Sequence, residues 1–155
     1  MPRLIPLITH TATLALGFAL GIYTLPILIA PNSPSQAETT AATPAPIYTA
    51  SFNRNLKGSD FLHWGEGTIR ITAEKIAHQG RLTPGPDYRL YLVPAFVETK
   101  DEFLQIKTQS RQIAAIKSFN GFLVDIPPGT DLTAHTTIVI WCETFSQFIT
   151  AAKYR

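Results

Sequence analysis

The chain has 155 residues, 13 of them Lys or Arg and 11 Asp or Glu, for a formal net charge of +2 with the histidines neutral. So even a balance, with no basic stripe, speaks against nucleic acid as a partner. One cysteine in the whole chain excludes an intramolecular disulfide framework.

From Leu4 to Ala30 the sequence is apolar and carries no charge. A helix that crosses a bilayer needs about 20 such residues, whereas the apolar core of a cleaved signal peptide has only about 7–15. Residues 1–30 are therefore expected to form a retained signal-anchor helix. Arg3 and the amino terminus are the only upstream charges, which favours a cytoplasmic N-terminus, an inner-membrane anchor and a periplasmic C-terminal domain. Ser35-Gln36-Ala37 has the small-x-small form of a cleavage site, so whether the leader is cut after Ala37 stays open. Gly17 and Gly21 have the spacing of a helix-pairing motif, and His10 lies in the apolar run; chance and headgroup contact account for them equally well.

Residues 31–46, PNSPSQAETTAATPAP, change composition abruptly. Four prolines with Ser, Thr and Ala between them favour an extended, unpaired tether.

Residues 47–155 have the size of one domain. Their apolar pattern is that of strands, at Ile47 to Phe52, Thr68 to Thr72, Tyr88 to Val93, Ile113 to Ile116, Phe122 to Val124, Thr137 to Cys142 and Phe148 to Tyr154. Ile76 to Leu82 reads as a poorer strand broken by Gly80, and Val97 to Arg111 as either a short helix or a loop. Pro84-Gly85-Pro86-Asp87, Asn120-Gly121 and Pro127-Pro128-Gly129 are turn signals. The expected fold class is all-β, a β-sandwich or small barrel of about 7–9 short strands behind one transmembrane helix.

The stretch Thr137 to Cys142 organises the domain. Ile138, Ile140 and Cys142 alternate with Val139 and Trp141, so both faces are apolar and the strand should be central and covered on both sides. Its thiol is either a buried small hydrophobe, a cofactor ligand or a sensor open to oxidation. No nucleophile elbow, phosphate loop, zinc-protease helix or paired-cysteine motif is present, which argues against an enzyme. The candidates for a ligand set are Cys142 with His63 and, more weakly, His135, a donor combination that suits copper, zinc or haem iron. The one methionine is Met1, which disfavours a blue-copper arrangement with an axial thioether.

These residues carry a resemblance. His63 followed by Gly67, then Gly85-Pro86-Asp87 with Tyr91-Leu92, and the near-terminal Val139-Ile140-Trp141-Cys142 with Phe145 and Phe148, resemble the DM-thirteen family. That family is associated with DOMON redox domains. The resemblance spans Ser51 to Tyr154, and Gly21 to Ile27 is similar to the anchor of small bacterial members. It implies an extracytoplasmic electron-transfer accessory module centred on Cys142, as a thiol or as the ligand of a group such as haem or copper, with a separate redox protein as partner. The reading that stands against it is a non-redox binding module of the cell envelope, with no cofactor and Cys142 as core packing.

Overall fold

The computed structural model describes Leu4–Arg155. Arg3, on which the expected orientation rests, lies outside the described residues. The chain opens with helix α1 (Leu4–Leu28), whose side chains are almost all exposed. Then follow α2 (Gln36–Ala42), β1 (Tyr48–Phe52), β2 (Gly65–Ile71), β3 (Lys75–Leu82) and β4 (Tyr88–Val93). After α3 (Lys100–Ile106) and a short 3-10 turn come β5 (Arg111–Ile116), β6 (Phe122–Asp125), β7 (Thr137–Cys142) and β8 (Gln147–Lys153).

The eight strands form two four-stranded antiparallel sheets, in the orders β1-β2-β3-β6 and β5-β4-β7-β8. The architecture is sandwich-like. No barrel is closed, because the edge strands of each sheet, β1 and β6, β5 and β8, have a hydrogen-bonded neighbour on one side only. A core of Ile69, Ile71, Leu90, Ile138 and Ile140, with Cys142 at its end, fills the space between the sheets. The outer face of the second sheet buries Trp141, Phe148 and Tyr91 under Phe103 of α3.

The alternation in β7 is realised on both faces. Ile138, Ile140 and Cys142 face the inter-sheet core, Val139 and Trp141 face α3, and all six residues of the strand are buried. What covers the outer face is the segment whose sequence left helix and loop open. Thr99 caps α3 by accepting from the Glu102 amide, Asp101 and Glu102 suit the positive end of the helix, and Phe103 becomes its buried face.

Three local expectations are corrected. The tether is not wholly extended: Ser35 and Glu38 form a reciprocal capping box that starts α2, and Gln79 of β3 donates to the Gln36 carbonyl while also bonding Thr39. Gly80 does not break β3, which pairs with β2 from Ile76 through Leu82. It sits opposite Gly67, and a Cβ there would fall 2.0 Å from the Glu66 carbonyl and 2.8 Å from His78 Nε2, so glycine lets the strands close over a buried imidazole. Asn120-Gly121 is not a hairpin, because the chain changes sheets there: β5 pairs with β4, and β6 pairs with β3.

Candidate functional site

Register places the three loops that build the site at one end of the sandwich. In the second sheet Tyr88 pairs with Cys142, and Cys142 with Gln147. In the first sheet Gly65 pairs with Leu82. The connections 53–64, 83–87 and 143–146 therefore meet there. Between them lies a mostly apolar cleft of about 300 Å³, at the small end of the range for ligand sites, bordered by Cys142, His63, Tyr88, Gly85, Leu62 and Phe145.

Cys142 ends β7 and is only 2% exposed. Burial pushes its thiol above the ordinary range. The backbones of Phe145, Asp87 and Thr144, on the two turns beside it, oppose that shift without reversing it. Backbone dipoles near a sulfur favour negative charge on it, but here burial outweighs them and the neutral thiol is favoured.

His63 stands on the wall. Its Nδ1–H donates to Asp60 at 2.8 Å. Asp60 also accepts from the amides of Leu62 and His63, at 2.7 and 2.8 Å. Burial alone would raise the Asp60 carboxyl; these hydrogen bonds outweigh it and hold it below its usual value. The carboxylate fixes the ring and its tautomer and leaves Nε2 with the free lone pair, which is how protein carboxylates prepare a histidine to ligate.

The Gly85-Pro86-Asp87 turn has a steric purpose. A Cβ on Gly85 would lie 2.3 Å from the Tyr88 ring, so glycine lets that ring lie against the turn and form the cleft wall. Asp87 pairs with Arg89 at 2.7 Å, and its carbonyl accepts from the Glu143 amide at 3.0 Å, tying this turn to the β7–β8 turn. The Tyr88 hydroxyl is buried, and burial raises its pKa.

The structure therefore brings Cys142 and His63 to one cleft, with Gly85, Pro86 and Phe145 around them. Trp141 points the other way, into the aromatic cluster under α3. His135 is elsewhere: it precedes the first residue of β7, its Nδ1 donates to the Asp131 carbonyl, and Cys142 is the last residue of that strand. Asp60, Tyr88 and Leu62 had not been read from the sequence as site residues. The Asp60-x-x-His63 spacing, which places an acceptor within reach of the following loop, was the available signal for Asp60. Among the described residues no three His, Cys, Asp or Glu side chains gather into a metal-holding group. The donor set of the cleft is thus one sulfur and one imidazole, which fits a group that brings its own remaining ligands or takes them from backbone or solvent.

A two-sheet domain with one thiol at the floor of an apolar cleft defines the class of protein. The family model described as electron transfer DM13 matches residues 52–154, and the chain belongs to that family. No curated protein and no solved structure matches the chain.

Proposed function

We propose that the chain is a membrane-anchored electron-transfer module, not an enzyme that turns over a small substrate, and that its centre is Cys142 with His63 as second participant. One observation carries this reading: the sulfur lies at a cleft whose wall also holds a carboxylate-oriented imidazole. Donors around a sulfur and the dryness of its surroundings are the means by which a protein sets the potential of a sulfur-ligated centre. Helix α1, with 25 residues and a mean hydropathy of 1.7 over its most apolar window, is long and apolar enough to cross a bilayer. We assign it as a retained anchor in the inner membrane with the domain in the periplasm, where a separate redox protein would exchange electrons with it.

A second reading has an observation of its own. The thiol is nearly inaccessible and burial keeps it protonated, as expected for a core cysteine in a binding module. The two separate in one experiment on the full chain, purified in detergent from cells that supply haem and copper. Absorption spectra of oxidised and reduced protein, with metal analysis, are compared with Cys142→Ser and His63→Ala. A band or a bound metal that Cys142→Ser abolishes and His63→Ala shifts supports the electron-transfer centre. A colourless, metal-free protein whose thiol labels only after unfolding supports the binding module.

A further inference from the structure

The end of the sandwich that holds the cleft also carries an apolar rim. Phe61 is 85% exposed, Phe145 50% and Leu62 40%; Leu62 and Phe145 border the cleft from two different loops, and Phe61, next to Leu62, lines the neighbouring opening. Single exposed apolar residues need no explanation, but a cluster at the mouth of a site does. Beside it a second, wider opening is lined by Phe61, Trp64, Arg54 and Arg81. The Arg54 guanidinium stacks over Trp64 at 3.5 Å and reaches Glu66 at 3.8 Å. Arg81 is exposed and makes no ion pair among the described residues. The other acids on these loops are engaged as well: Asp60 by His63, Asp87 by Arg89 and Glu143 by Lys107.

Helix α1 meets the domain at this same place. Ala19, Ile22 and Tyr23 line the cleft, and Tyr23 and Ile27 line the wider opening. At 1.5 Å per residue the 25 residues of α1 extend about 37 Å, against a hydrocarbon core about 30 Å thick. If Leu4 begins the span, the core ends near Tyr23, at the level where aromatic rings collect at membrane interfaces. The domain residues that share a cleft with Tyr23 then lie at the lipid surface.

We propose that the rim of the Cys142 cleft docks on the bilayer crossed by α1. Phe61, Leu62 and Phe145 enter the interfacial layer, Arg54 and Arg81 meet phospholipid phosphates, and the cleft opens on the lipid–water boundary. The occupant of this apolar face is the membrane, because the chain itself leaves the membrane there. Arginine suits phosphate through its planar fork of donors. The proposal rests on the reading of α1 as a span and is independent of any redox role for Cys142.

The test uses the full chain reconstituted in vesicles that contain phospholipids brominated at shallow acyl positions, roughly the 5–10 Å depth that interfacial side chains reach. Three variants are compared in a Trp64→Phe background, each read as the difference from that parent, whose remaining indole is the sealed Trp141: Phe18→Trp in the middle of α1, Phe61→Trp on the rim, and Phe96→Trp, which follows β4 at the end of the sheet opposite Cys142. All three positions are exposed, so the substitutions leave the core intact. The expected result is bromine quenching and a blue shift for the indoles at positions 18 and 61, and neither at position 96. Quenching at 18 alone overturns the docking and leaves the span standing. Quenching at both 61 and 96 overturns the assigned face. Absence of quenching at 18 overturns the span, and the docking with it.

Discussion

Trp141 and Cys142 are neighbours on β7, almost equally removed from solvent, and they point into different regions. Trp141 is sealed: Phe103 lies 4.8 Å away between ring centroids, with Val139 and Phe148 beside it and α3 over the cluster. Cys142 faces the inter-sheet core, but at the residue where the strand ends and three loops leave a cleft. Burial by itself does not distinguish the two positions. What separates them is the face each takes at the end of the strand: α3 closes over the outer face that Trp141 enters, while three loops leave an opening on the inner face that Cys142 enters.

The largest effect expected from this contrast is at the sealed position. Trp141→Ala removes the centre of the aromatic cluster, and such truncations typically cost about 3–5 kcal/mol. A domain has about 5–15 kcal/mol in total, so denaturant titration should show the variant near the limit of folding. A midpoint close to wild type would mean that α3 can close over the gap and that the two faces of β7 differ less than their packing implies.

His78 extends the contrast to protons. It is fully buried between Phe52 and Phe122, its Nε2–H donates to the Glu66 carbonyl at 3.0 Å, and its Nδ1 has no partner. Burial lowers its pKa from 6.5 to about 4. The unfolded chain therefore takes up a proton below pH 6.5 that the folded chain refuses until about pH 4. Stability should fall through that window by about 3 kcal/mol and then level off as far as this group is concerned. In His78→Gln the decline between those pH values should vanish; if it persists, other groups drive it.

Cys142→Ala should be milder, about 1–2 kcal/mol of lost packing. The raised thiol gives it a pH signature. The folded protein holds its proton above the ordinary value of 9.0, so the thiol's contribution is complete below that value and is lost as pH rises past it toward the folded pKa. Alkaline titration of Cys142→Ala should lose that component, while the part due to buried Tyr88 and to Tyr154, whose pKa burial pushes up to about 12, remains. An unchanged alkaline decline would mean that the thiol is freer than its place at the cleft floor suggests.

Much of the sandwich could be read from alternation, because burial on one or two faces of a strand is written in every second residue. Ile69 and Ile71 turn inward and β7 is covered on both sides, as the pattern implies. Turn chemistry was less reliable. Asn120-Gly121 favours a hairpin locally, but Phe122 pairs opposite His78 in the first sheet, so the chain crosses over. The capping box of α2 was hidden in a segment whose prolines dominate its composition. The site was legible only in part. Cys142 and the Gly85 turn stood out as residue types, yet nothing local tells His63 from His135, two loop histidines with local hydrogen bonds. They differ in which end of the sheets their loops reach, and that is a property of register between distant segments.

The smallest expected effect concerns the turn between β7 and β8, which follows Cys142. Glu143 to Ser146 forms a β-turn closed by the Ser146 amide on the Glu143 carbonyl at 3.2 Å, and Ser146 sits at φ +47°, the one described non-glycine residue with positive φ. A serine there keeps a conformation that glycine adopts without a Cβ clash, and glycine in turn loses more backbone entropy on folding. The two nearly cancel, so Ser146→Gly should stabilise by a few tenths to about 1 kcal/mol in thermal unfolding. Phe145 of this turn and Gln147 after it border the cleft, and Ser146 between them does not. Thiol labelling in the native state should therefore stay as slow as in wild type. Faster labelling would show that the left-handed serine stiffens the cleft wall, and that the open region of β7 depends on local strain as the sealed region depends on packing.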